Sequence, residues 1–403
     1  MILGPEPYPG GVPSRVIKEA ENLVRSPNPN LYPLWFLAIV LVSNNIDLEV
    51  DLLEAYKKNA AESPALYVMY RLIASMSKEK QSFFLSDMDL LLGLEKYTNT
   101  KLPPTPTLDR GESFKAYQQS IEVSLWAFVA LAATGRKIEE FPEAIKNILN
   151  ALVNAQCKKI ERLICEISQT EQPEQPEQTQ RRRRILLEIL SSLQPLQPLV
   201  DLNNNYNLLV ESYKEELKEM IVSAWPTKQE ITAYDNSIVD FLEALEIALR
   251  LGINHFPQNA EAADNMKSML NLLVGEISNH IKKLKDGLSS EYVIIHNIRL
   301  ALRLVLGNYF QKETLEETLN LLKKLMDNSF FYSKYKKELL LGVLEDLGID
   351  DFRGLLNSAG EEFKKKVIKI IRSIIRGNNP DNPEYKARLL LLLLQSIKEN
   401  PQG

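Results

Sequence analysis

Histidine and cysteine are scarce in this chain: His255, His280 and His296, with Cys157 and Cys165, are the full complement among 403 residues. Chemistry would therefore have to come from carboxylates. Asp235, Asp240, Glu243 and Glu246 lie on one stretch, and the last three advance by three, as along one side of a helix. A helical metal site needs a second acidic motif on another helix. The other close pairs, Asp87/Asp89 and Asp350/Asp351, lack the spacing. The stretch is expected to be a solvated acidic face. A di-iron bundle needs two Glu-x-x-His motifs, whereas Glu276 precedes His280 by four and has no second copy. His296 has no acid or cysteine at ligand spacing, so each histidine reads as a packing or surface residue. Cys157 and Cys165 stand eight apart on one expected helix, about 12 Å, too far for a disulfide. Both read as small core residues. The chain lacks a phosphate-binding Gly-x-x-x-x-Gly-Lys-Ser/Thr loop, a dinucleotide fingerprint and a Gly-x-Ser-x-Gly elbow. No catalytic residue, metal ligand or cofactor is assigned, and a non-enzyme is expected.

Cations are more informative. The chain has a net charge of −5, which excludes a uniformly basic nucleic-acid coat but leaves local basic faces open. Residues 191–300 carry 9 basic and 15 acidic side chains, whereas residues 301–403 carry 17 and 14. Within the latter, Lys364, Lys365, Lys366, Lys369, Arg372 and Arg376 face only Glu361 and Glu362 as local counter-charges. Phe363, Val367, Ile370, Ile371 and Ile374 form the complementary apolar stripe of one helix, 361–376. Such a helix can dock on a core and turn its cations to phosphate, releasing counterions. Arg181, Arg182, Arg183 and Arg184 form a second cluster, suited to bidentate phosphate contacts at the edge of a linker. A third candidate interleaves Lys334, Lys336 and Lys337 with Phe330, Phe331, Tyr332 and Tyr335. Its chemistry suits base stacking, although Phe330 and Phe331 are expected in the core.

The elements that must carry these residues are helices. Apolar residues recur at three and four almost throughout, glycine numbers only 16, and alternating strand patterns are rare. Helices are expected over 16–24, 31–43, 48–60, 65–75, 83–94, 114–134, 142–168, 183–193, 208–225, 237–251, 260–285, 291–310, 315–326, 334–347, 361–376 and 385–399. Lys101-Leu-Pro-Pro-Thr-Pro-Thr is a decisive break. Thr314 with Glu317 and Ser358 with Glu361 have capping-box spacing. Gln169 to Gln180 repeats Glu-Gln-Pro and suits a solvated, extended segment. The expected organisation is therefore an N-terminal helical domain 1–168, a linker 169–182 and a C-terminal helical domain 183–403; the competing reading makes 169–182 a surface loop of one domain. The fold class is all-α, an irregular multi-helix bundle or a degenerate helical-repeat array with two lobes. Leu31 to Val42 and Leu389 to Leu394 are too short to cross a bilayer, and Met1 to Gly11 lacks the basic start of a signal peptide. A cytoplasmic protein without membrane contact is expected.

Pro9-Gly-Gly-Val-Pro-Ser-Arg-Val-Ile-Lys-Glu-Ala and Asn30-Leu-Tyr-Pro-Leu-Trp resemble the start of the helical large subunits of archaeal type I CRISPR interference complexes. The resemblance covers roughly the first forty residues and carries over no functional residue. It implies an RNA- or DNA-binding subunit of an antiviral nucleoprotein assembly, with other protein subunits as partners. The expectation is thus a non-catalytic helical scaffold or adaptor that binds nucleic acid. The alternatives are a helical protein–protein interaction module and a metal-dependent enzyme using the scattered acids.

Overall fold

The computed structural model describes residues 137–140, 143–169, 176–203, 205–232, 236–253, 260–306, 312–376, 385–390 and 392, with isolated positions at 18, 22, 23, 121, 124, 125, 128 and 129. Apart from those positions, the helices expected between 16 and 134, the proline break at 101–107 and the segment 9–35 lie outside the described residues. Every regular element that is described is a helix, and none of these residues forms a strand. The chain is all-α, for the reason the periodicity gives: residues three and four apart share a face, and that face is buried.

The chain clusters into two compact units. One comprises Ile17–Met220 with Leu251–Ile253. Its described helices are α1 (Glu143–Gln169), α2 (Pro176–Leu193) and α3 (Tyr206–Ser223), the last for all but its final three residues. Helices α1 and α2 pack as a hairpin, burying Ile145, Leu149, Leu152 and Ile160 of the first and Leu186, Ile189, Leu190 and Leu193 of the second. Buried Gln156 donates through Nε2 to the Ser192 carbonyl at 2.8 Å. Tyr206 Oη donates to Asn150 Oδ1 at 2.7 Å, tying α3 to α1.

Helix α2 revises the expected linker. It starts at Pro176, so residues 176–182 are helical rather than extended, and Gln169 closes α1. Proline suits the first turn of a helix, where its missing N–H has no partner to lose. Residues 170–175 lie outside the described set.

The other unit comprises Met1–Val16, Ile221–Arg250 and Asn254–Gly403. It contains α4 (Lys228–Thr232), α5 (Asn236–Arg250), α6 (Ala260–Lys283), α7 (Glu291–Leu304), α8 (Lys312–Asp327), α9 (Ser333–Ala359) and α10 (Glu361–Arg376). Helix α6 packs on α7, α7 on α5 and α9, and α9 folds back on α10. Ile298, Leu300, Leu304, Leu322, Leu325, Leu340 and Phe352 are buried between them. Gly348, at φ 70°, breaks α9 into two helical stretches, and Gly360, at φ 97°, separates α9 from α10. Both are backbone states that a side chain disfavours. Residues 385–390 are helical and are held to α9 by Arg388, whose guanidinium meets Glu345 and Glu338.

The caps differ from expectation. Ser358 lies inside α9 and its hydroxyl donates to the Gly354 carbonyl, while Thr314 lies inside α8 and is buried. A capping box does form at Thr227, ahead of α4: Glu230 Oε2 accepts from the Thr227 N–H at 2.8 Å, and Thr227 Oγ1 accepts from the Glu230 N–H at 3.4 Å.

Candidate nucleic-acid interface

The acidic stretch resolves into internal pairing. On α5, Glu243, Glu246 and Arg250 stand at i, i+3 and i+7; on α7, His296, Arg299 and Arg303 do the same. Glu243 Oε2 lies 3.4 Å from His296 Nε2. Glu246 is buried between Arg250 (Nε 2.7 Å) and Arg303 (Nε 3.3 Å). Asp346 of α9 accepts two hydrogen bonds from Arg299, from Nε and Nη2, each at 2.7 Å, and lies 3.3 Å from Arg303 Nη1. Burial pushes the Glu246 carboxyl up, with Asp346 adding to the shift, and Arg303 and Arg250 only partly compensate. Burial also raises Glu243, but the His296 contact and the charges of His296, Arg303 and Arg250 outweigh it and hold the group below its ordinary value. The hydrogen bond to Asp346 raises Arg299 further.

A cleft of about 210 Å³ opens among Glu246, Arg250, Arg303 and Asp346. Glu246 and Asp346 already face arginines, so these two carboxylates are neutralised within the fold, while exposed Asp351 lines the rim. Asp235 and His255 lie outside the described residues, as do Asp87 and Asp89. Asp350 pairs with Arg353 on its own helix. Among the described residues, no three metal-ligating side chains gather at one point.

Two further expectations are revised. Cys165 is exposed, and only Cys157 is buried; burial raises the Cys157 thiol to about 11. His280 Nδ1 is hydrogen-bonded with Ser289 Oγ at 2.9 Å, consistent with a packing role. His296 meets an acid after all, because Glu243 reaches it from another helix, a contact invisible to spacing along the chain.

The arginine cluster does not form one basic face. All four residues lie on α2, where successive side chains point about 100° apart. Arg183 is 2 % exposed, among the largest buried side chains. It stands three and seven residues before Leu186 and Leu190, on the buried stripe. Arg181 pairs with Glu166 of α1 at 2.6 Å, Arg182 is half-buried and Arg184 is exposed. Arg183 is therefore withdrawn as a phosphate contact; Arg181 and Arg184, three apart, share a face on which Arg181 is already paired with Glu166, and Arg182 points away from it.

Helix α10 keeps its cations outward. Phe363, Val367, Ile371 and Ile374 are buried, and Ile370 is half-buried beside them. Lys365, Lys369 and Arg372, at i, i+4 and i+7, are exposed and form no hydrogen bond or ion pair among the described residues. They follow one ridge for about 10 Å. Lys364 is committed, donating to Asn357 Oδ1 at 2.8 Å and lying near Glu361. Lys366 pairs with Asp327 at the end of α8. The side chain of Arg376 lies outside the described residues.

Next to that pair, an open groove of about 570 Å³ is lined by Ile281, Asn320, Lys323, Lys324, Asp327 and Asn328. It extends the positive surface from α10 to the ends of α8 and α6, where Lys282, Lys283 and Lys285 are exposed. Sequence reasoning reached α10 but missed this continuity, which needs the Lys366–Asp327 contact between helices 39 residues apart. The aromatic candidate also divides: Phe331 is buried as expected, whereas Phe330 is exposed. Among the described residues, no helix is long and apolar enough to cross a membrane. Comparison of the chain with protein-family models, with curated proteins and with solved structures gives no match.

Proposed function

We propose that this chain is a non-catalytic helical scaffold that binds nucleic acid through α10 and serves as a subunit of a nucleoprotein assembly. The observation that carries the reading is the ridge of Lys365, Lys369 and Arg372: three exposed cations that form no ion pair among the described residues, on a helix whose apolar face is already used in the core. Positive charge left unpaired by its own fold favours a polyanion, since each phosphate contact releases condensed counterions. The same burial disfavours a membrane-surface helix, which needs its apolar face free. The metal-enzyme alternative is weakened by the arginines that occupy Glu246 and Asp346. The N-terminal resemblance is the reason for placing the scaffold in an antiviral, CRISPR-type effector alongside other protein subunits.

The test is a pair of salt titrations with one single-stranded RNA, on the wild type and on the triple variant Lys365→Glu, Lys369→Glu, Arg372→Glu. The variant should bind more weakly, and its salt slope should be shallower by up to about 2, given about 0.7 per phosphate contact on a single strand. Equal affinities and equal slopes would remove α10 from the interface. Failure of the wild type to bind any polyanion, together with an intact fold, would favour the protein–protein module.

A further inference from the structure

The structure points to a base-stacking platform beside the basic ridge: we propose that the turn joining α8 to α9, with the first turn of α7, takes unstacked bases of a single-stranded nucleic acid whose phosphates lie on α10. This rests on the reading above and specifies which form of nucleic acid is bound and by which side chains.

Three aromatic rings meet solvent here: Phe330 is 44 % exposed, Tyr332 64 % and Tyr292 57 %. Large aromatic groups are ordinarily withdrawn from water, so three exposed within one locality need a reason. They are presented by a built turn. The α8 helix ends with the Asn328 N–H donating to the Leu325 carbonyl. Asn328 Oδ1 accepts from the Phe330 N–H at 2.8 Å, and its carbonyl accepts from Lys336 Nζ at 2.8 Å. Phe331, 1 % exposed, plugs the turn into the core. The Tyr332 carbonyl accepts from the Lys336 N–H and starts α9. With Phe331 anchored, its neighbours Phe330 and Tyr332 are turned outward. Tyr335 joins the pieces: its ring lies edge-on to Tyr292 of α7, centroids 5.5 Å apart, and 5.9 Å from Phe331.

Charge complements the rings. Lys334 Nζ stands 5.7 Å from the Tyr335 centroid, near enough for cation–π attraction while its ammonium can still reach phosphate. Two acids beside the turn are occupied, Asp327 by Lys366 and Glu338 by Arg388. The Lys366–Asp327 pair also fixes the distance to the ridge: Asp327 directly precedes Asn328, and Lys366 stands three residues before Lys369. One strand could thus place phosphates on Lys369 and Arg372 and bases on Phe330 and Tyr332. Aromatic faces accept any base, so the platform favours single strands over duplex, whose bases are already stacked.

The experiment uses the full chain with a short single-stranded RNA carrying 2-aminopurine and with the matching duplex. For the wild type, single-strand binding should quench the fluorophore and exceed duplex binding. The double variant Phe330→Ala, Tyr332→Ala should lose about thirtyfold or more in single-strand affinity, lose the quenching, and keep its weaker duplex affinity. The ring-conserving variant Phe330→Tyr, Tyr332→Phe should bind as the wild type. Unchanged single-strand affinity and quenching in the alanine variant would overturn the platform while leaving the α10 reading intact. A wild type that binds neither probe would end both. If instead the alanine variant alters the sedimentation of the free protein from dimer to monomer, the rings belong to a contact between copies and the platform is wrong.

Discussion

Cys157 and Cys165 stand two turns apart on α1, yet only Cys165 meets solvent. Burial raises the Cys157 thiol to about 11, the Glu161 charge adding to the shift and the Tyr213 hydrogen bond only partly offsetting it, so it holds almost no thiolate at neutral pH. Native alkylation with iodoacetamide at pH 8, read by peptide mass spectrometry, should label Cys165 rapidly and leave Cys157 unmodified until denaturant is added. Equal labelling would contradict the packing of α1. Glu243 offers a pH measurement. Its folded value lies below the ordinary 4.5, so its contribution to stability is present above that pH and is lost as pH falls through the folded value. In urea titrations, the wild type should therefore outlast Glu243→Gln near neutrality by a margin that shrinks as the pH drops below about 4.5. A margin that grows with acidity would show that the His296 contact does not form.

At the scale of elements, α10 and the α7–α9 contact respond differently to substitution. The three α10 charge reversals of the binding test fall on exposed positions and should change stability by less than about 0.5 kcal/mol each. Ile371→Ala, on the buried face of the same helix, should cost about 2–5 kcal/mol by chemical denaturation. Similar costs on both faces would mean that α10 is not seated as described. Gly342 reports on the neighbouring contact. A Cβ there would stand 2.7 Å from the Arg299 guanidinium, which is held by two hydrogen bonds to Asp346. Alanine in a helix interior gains about 1 kcal/mol over glycine, while displacing charged hydrogen bonds loses about 1.5–3 kcal/mol. Gly342→Ala should thus destabilise by about 1 kcal/mol, and a stabilised variant would show that Arg299 moves aside without loss.

For the whole molecule, helix α2 determines how the chain meets proteases. An extended 169–182 would expose Arg181 to Arg184 to trypsin, but in α2 these residues are helical and Arg183 is enclosed. Native limited trypsinolysis should leave that site uncut while exposed lysines elsewhere are cleaved; rapid scission there would mean that α2 unravels. The charge of the whole, −5, also says little about binding. A phosphate chain feels a local field within about a Debye length, near 10 Å at 0.1 M salt, comparable to the length of the α10 ridge.

The all-α class and, among the described residues, most helix positions were legible in the sequence, because amphipathic spacing is a local property and burial acts on it directly. Gly287, at φ 65°, closes the region after α6, where the helix over 260–285 was expected to stop. The outward face of α10 was legible for the same reason: its apolar and basic residues alternate with the helical period. The burial of Arg183 was not: read from its neighbours as a phosphate contact, it packs inward with Leu186 and Leu190, three and seven residues on. Pairings between distant residues were not legible. Glu243 with His296, Arg299 with Asp346, Lys366 with Asp327 and Tyr292 with Tyr335 join residues far apart in the chain. No local pattern encodes them. Only the packing of helices brings such groups together, and it alone decides which charges are cancelled and which remain facing water.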